Sequence, residues 1–128
     1  MPGRDAFQYA AIRVVPRVER GELLNAGVLV FCRPRRFLAA RTQLDAAALA
    51  ALAPGCDAAQ VREHLALIEA IAAGAPGGGP IAALAQSERF HWLVAPASTI
   101  VQAGPVHTGL TDDPERELAH LFTALVVR

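Results

Sequence analysis

Side chains along Phe7–Val15 sort onto two sides, with Ala10, Ile12 and Val14 on one and Tyr9, Ala11, Arg13 and Val15 on the other. A period of two is the signature of a strand. Both sides are largely apolar, so this strand belongs inside a sheet covered on both faces. Gly27–Cys32 is apolar throughout and reads as a second central strand, and Phe37–Thr42 as a third. The connection Pro16–Ala26 is longer than an ordinary hairpin loop. In it Pro16 stops the first strand, and Arg17, Glu19, Arg20 and Glu22 alternate in sign around Gly21. Leu23 and Leu24 are expected to tuck the return into the core, and Asn25 and Gly27 to shape the start of the second strand. Arg33-Pro34-Arg35-Arg36 makes the turn into the third.

The period then changes to that of a helix. Asp45 caps Ala46–Leu52, which Pro54-Gly55 closes. Asp57 opens a longer helix with an apolar stripe of Val61, Leu65, Ile68 and Ala72, widened by Leu67 and Ile71. Glu69 is expected to face out and Gly74 to end the helix. Residues 75–80 form a flexible Gly/Pro-rich loop, and Ile81–Ser87 a short helix. Phe90 and Trp92 are expected to pack at the core or its boundary. Ser98–Gln102 reads as a strand, followed by a tight polar segment, Val106–Gly109. The last helix is the clearest: Asp113 caps it, Pro114 suits its first turn, and Leu118, Leu121, Phe122 and Leu125 mark its buried face.

These elements predict one α+β domain over residues 1–128, with a small, mainly antiparallel sheet of about four strands and helices on at least one face. Composition adds limits on function. Twelve arginines balance twelve acidic residues and there is no lysine. A neutral balance argues against strong non-specific nucleic-acid binding, which rests on a basic surface. Cys32 and Cys56 have no zinc-like spacing and read as free thiols. No apolar run approaches the ~20 residues that span a membrane. The opening residues lead straight into a strand rather than a targeting peptide, so the cytoplasm is the expected location. Neither a cofactor nor a metal is expected.

Two constellations of candidate residues emerge. Arg13 sits mid-strand among apolar neighbours, where a guanidinium needs an acceptor. Glu19 and Glu22 are its nearest candidates in sequence; a ligand carboxylate or phosphate is the functional alternative. His107, with Thr108 and Gly109, is expected on a loop before the last helix, a setting that suits chemistry. If Arg13, Gln102 and His107 converge, Arg13 would anchor an anion, Gln102 orient it and His107 act as donor or general base. No nucleophile accompanies them. The competing reading is a protein-binding module that docks through Arg17, Glu19 and Glu22 and through Arg35 and Arg36, where mixed charge suits steering and specificity. Self-association is compatible with either reading.

The run Y-x-x-I-R-V-V-P-R-x-E-R-x-E-x-x-N-x-G-V from Tyr9, with S-T-I-V-Q at Ser98–Gln102 and P-V-H-T-G-L at Pro105–Leu110, resembles the bacterial family called domain of unknown function 3037. The resemblance spans nearly the whole chain and implies a short single-domain protein. Members are often encoded beside a HipA-like kinase-fold protein, which implies a possible partner and no particular reaction.

Overall fold

The structure, a computed structural model, describes residues 3–97 and 99–128. Ser98, expected on a strand, lies outside the described residues. The strands are β1 (Asp5–Val14), β2 (Leu24–Cys32), β3 (Phe37–Thr42), β4 (Val101–Ala103) and β5 (His107–Thr111). The helices are α1 (Ala46–Leu52), α2 (Ala58–Ala73), a single turn α3 (Gly79–Ala82), α4 (Gln86–Val94) and α5 (Pro114–Leu125). All strand pairings are antiparallel, in the order β3-β2-β1, and β4 and β5 share the outer side of β1. Five strands thus fill four positions, because β4 and β5 are two parts of one return path broken at residues 104–106. The fold is α+β, as the periodicities require.

The sheet carries a core on each face. One holds Ile12, Val14, Leu29, Phe31, Leu38 and Val101 with Leu49, Val61, Leu65 and Phe90 of the helices. The other holds Phe7, Val28, Val30 and Cys32 under Leu118, Phe122 and Val126. Each large side chain fully buried in this way contributes roughly 1.5–3 kcal/mol. The caps follow the aspartates: Asp45 accepts from the Ala48 N–H, Asp57 from Ala59 and Gln60, and Asp113 from Arg116.

Several local expectations change. β2 begins at Leu24, which is buried, while Leu23 is exposed. Glu69 does not simply face out: its carboxylate accepts from both the backbone N–H and the hydroxyl of Thr42, closing the end of the β3 edge. Ile71 joins the buried stripe of α2, but Leu67 remains exposed. Trp92 is 47% exposed, and Phe90 alone of that pair enters the core, its ring tilted against that of Phe31 at 4.8 Å. The Gly/Pro-rich segment makes a 3-10 turn at Pro76–Gly78 and then α3, with Gly78 buried against Ile71 and Ala82. Arg89 is buried, and its guanidinium donates to the carbonyls of Ala82 and Leu84. Among the described residues no single helix is long and apolar enough to cross a membrane.

Candidate functional site

α5 lies over β2 and β3 and covers Phe7 of β1, while the β1 residues beyond Phe7 on that face are only half-buried. Strand alternation puts Tyr9, Ala11 and Arg13 on that partly open strip. Cross-strand pairing adds Gln102 opposite Arg13 and His107 opposite Tyr9. A further residue arrives by an irregularity. Between Ile12 and Arg13 the β1–β2 register slips by one, so that Arg13 pairs with Asn25. The bulge leaves Ala26 facing the helix-rich core and turns Asn25 to the face of Arg13. There the Asn25 amide nitrogen donates to the carbonyl of Leu125 near the end of α5, at 3.2 Å.

Arg13 leans across Gly104. A Cβ at residue 104 would lie 2.8 Å from the Arg13 Cζ and 2.9 Å from its Nε, so a larger residue there would push the end of the Arg13 side chain aside. The Arg13 Nε is buried with no hydrogen-bond partner, and so is the Asn25 Oδ1 across the strand pair. A donor and an acceptor of complementary type thus face the same strip, both unsatisfied, a state that buried polar atoms seldom keep without a ligand or water. Neither Glu19 nor Glu22 meets Arg13. Glu22 instead binds Arg20 at 2.5 Å, and Glu19 is exposed. Sequence proximity favoured those carboxylates, but the connection turns away from the sheet face in its 3-10 turn, Val18–Arg20.

Of the expected ligand residues, the structure brings Arg13 and Gln102 together. The Gln102 amide nitrogen donates to the Thr99 carbonyl at 2.8 Å, which holds the side chain in place. His107 is not on a loop: it begins β5, is exposed, and lies against Tyr9 with ring centroids 5.2 Å apart and the rings tilted by 34°. It shares the face of Arg13 but sits further along the sheet. The guanidinium reaches the level of Gly104 and Ala11, about two residues' rise, or ~7 Å, from the Tyr9–His107 pair. A ligand touching both ends must span that distance; a single small anion does not. Thr108 pairs with Gln8 and points to the opposite face, so it does not belong to the strip.

The expected partner-binding arginines divide. Arg35 is committed internally: its Nε pairs with Asp5 at 2.7 Å, and its terminal nitrogens donate to the carbonyls of Asp112 and Gly3. It latches the start of β1 to the β5–α5 junction. Arg36 is exposed, in the left-handed conformation with φ 52°, and its carbonyl accepts from Gln86. Arg17 is exposed at a cleft of about 590 Å³ between the β1–β2 connection and the α1–α2 turn, whose walls also carry Arg20, Glu22, Cys56 and Asp57. There Arg20 holds the Glu22 carboxyl below its usual range, chiefly through their hydrogen bond. The cleft pairs Arg20 with Glu22, whereas Arg13 has no ion pair among the described residues.

Asn25, Tyr9 and Gly104 are the site residues that sequence reasoning did not single out. Among the described residues no cluster of three or more His, Cys, Asp or Glu could hold a metal ion. The strip offers recognition: one planar cation, one amide oxygen and an aromatic pair. No curated protein and no solved structure matches the chain. A family does, from Tyr9 at one end of the strip to Val126 in the core beneath α5, and over these residues 9–126 the chain belongs to the protein family of unknown function DUF3037.

Proposed function

We propose that this protein is a binding module, an accessory to a protein partner, and that its working surface is the open strip around Arg13. The observation that carries this reading is the half-buried Arg13 guanidinium, whose buried Nε has no hydrogen-bond partner and which makes no ion pair among the described residues. A half-buried guanidinium without a counter-ion is a receptor for a carboxylate, which it can grip through two parallel N–H donors. The partner therefore presents an Asp, a Glu or a chain terminus. An Asn25 oxygen beside it accepts from a neighbouring amide of the same segment. Tyr9 and His107 offer an aromatic contact about 7 Å further on, about two residues of extended chain. This geometry suits a peptide segment better than a single small anion. The HipA-like kinase-fold protein implied by the family resemblance is the first partner to test.

A second reading keeps the strip and changes the occupant: a free carboxylate or phosphate ligand held by Arg13 and Gln102. The distance to His107 argues against a single-centre reaction, and general-base chemistry has no support from it. Titration calorimetry of the purified chain against a purified HipA-like protein, and separately against small dicarboxylates and phosphates, distinguishes the readings. The module reading expects saturable binding to the protein, at least tenfold weaker for Arg13→Gln with an unchanged fold. Binding that Arg13→Gln leaves intact refutes this surface. Saturable binding of a small anion alone selects the second reading.

A further inference from the structure

The two edges of the sheet are treated differently. The β3 edge is guarded. Glu69 occupies the Thr42 N–H, Gln86 donates to the Arg36 carbonyl at the other end, and Arg41 lies over the Phe122 ring at 4.9 Å. These are the devices by which natural sheets avoid edge-to-edge pairing. Among the described residues no side chain covers the β5 edge in this way, and Pro105 stands just before the strand rather than in it. β5 pairs with β1 alone, and residues 103–110, Ala-Gly-Pro-Val-His-Thr-Gly-Leu, carry no Lys, Arg, Asp or Glu. Leu110 is 62% exposed, and Val106, just before the strand, 40%.

This edge is also complementary to itself. The Gly104 N–H donates to the Ala11 carbonyl and the Val15 N–H to that of Ile100, so odd-numbered residues of β1 turn their backbone groups toward β4 and β5. In the β5 register, His107, Gly109 and Thr111 then bond β1. The backbone groups of Thr108 and Leu110 point outward. An antiparallel copy centred on Thr108 places Thr108 against Thr108, Val106 against Leu110, and His107 against Gly109. Apolar meets apolar on one face, and the large imidazole meets a residue without a side chain on the other. No like charges oppose one another.

We propose that the β5 edge is a homotypic interface, through which a second copy of this chain adds its own β5 antiparallel across a two-fold axis at Thr108. The sheet then continues from one copy into the other with both Arg13 strips on the same side. This rests on the edge alone and is independent of what the strip binds.

The test is made on the full chain. Analytical ultracentrifugation over a concentration series is expected to show the mass rising from monomer toward dimer. Leu110→Lys is expected to hold it at monomer with an unchanged circular dichroism spectrum, since Leu110 has no core role. In a Cys56→Ser background, Thr108→Cys is expected to form a disulfide-linked dimer under oxidised glutathione. Directly paired residues stand about 5.5 Å apart at Cα, within the range of about 4.4–6.8 Å that a disulfide spans. The proposal stands only if all three hold. A chain that stays monomeric at every concentration overturns it. So does a dimer that ignores Leu110→Lys, or one in which Thr108→Cys does not crosslink.

Discussion

Replacing Arg35 by glutamine should destabilise the protein, although a turn of three arginines looks like a solvated surface. The guanidinium makes a 2.7 Å ion pair to Asp5, a 2.6 Å bond to the Asp112 carbonyl and a 3.0 Å bond to the Gly3 carbonyl. Its side chain is 29% exposed and that of Asp5 37%, so the ion pair is screened and worth no more than about 1 kcal/mol. The two bonds from a charged donor to carbonyls add about 1 kcal/mol between them after similar discounting. The expected loss for Arg35→Gln is therefore about 2 kcal/mol. Arg35→Glu should lose roughly 1 kcal/mol more by facing Asp5 with a like charge. In urea, with a slope of about 2 kcal/mol per molar for a domain of this size, the glutamine variant should move the midpoint down by about 1 M. Arg36→Gln is the control, because that side chain is exposed and makes no bond among the described residues. If Arg35→Gln and Arg36→Gln unfold at the same midpoint, the latch contributes nothing and the reasoning is wrong.

Gly74 ends α2 at φ 68°, and a Cβ there would come within 2.6 Å of the Arg89 terminal nitrogen. Gly74→Ala should cost about 2 kcal/mol or more, from left-handed strain and from displacing Arg89 off its two carbonyls. In a Gly74→Ala, Arg89→Leu double variant the costs should be less than additive; full additivity in chemical denaturation would deny the contact. Glu22 gives a pH prediction. Its folded-state pKa is lowered by Arg20, so the pair's contribution to stability is present above the unfolded carboxylate value and fades as pH falls through the folded one. Arg20→Gln should raise the Glu22 midpoint in an NMR titration back toward the ordinary range, and an unmoved midpoint would show that the hydrogen bond does not form in solution.

Legibility followed the range of the interactions. Asp45, Asp57 and Asp113 cap their helices by bonds two or three residues long, and β3 spans Phe37–Thr42 as the alternation indicates. β5 was hidden because an edge strand with His107, Thr108 and Leu110 all exposed has no apolar face to announce it. Trp92 misled for the opposite reason, as size favours burial but α4 turns that residue outward. Arg13 and Gln102 stood out as polar residues in apolar strands, and they are indeed neighbours. Asn25 could not be foreseen as theirs. Simple alternation places it on the face of Leu29 and Phe31, and only a bulge, chosen by the pairing of two strands, reverses it. The Arg89 contacts and the Arg35 latch likewise depend on carbonyls that only the folded chain brings near.

The position of β1 has a consequence for biosynthesis. Its inner side is paired by residues 24–32, soon after it is made, but its outer side waits for residues 101–111. Such distant pairings close slowly. At about 5–20 residues per second, a nascent chain carries β1 for several seconds with one row of backbone donors and acceptors open. During that interval the half-built sheet is a template for neighbouring chains, and Leu118 and Phe122, which will cover its second face, have not yet been synthesised. A released chain truncated before Gly109 should therefore be insoluble, while one that includes Val126 should not.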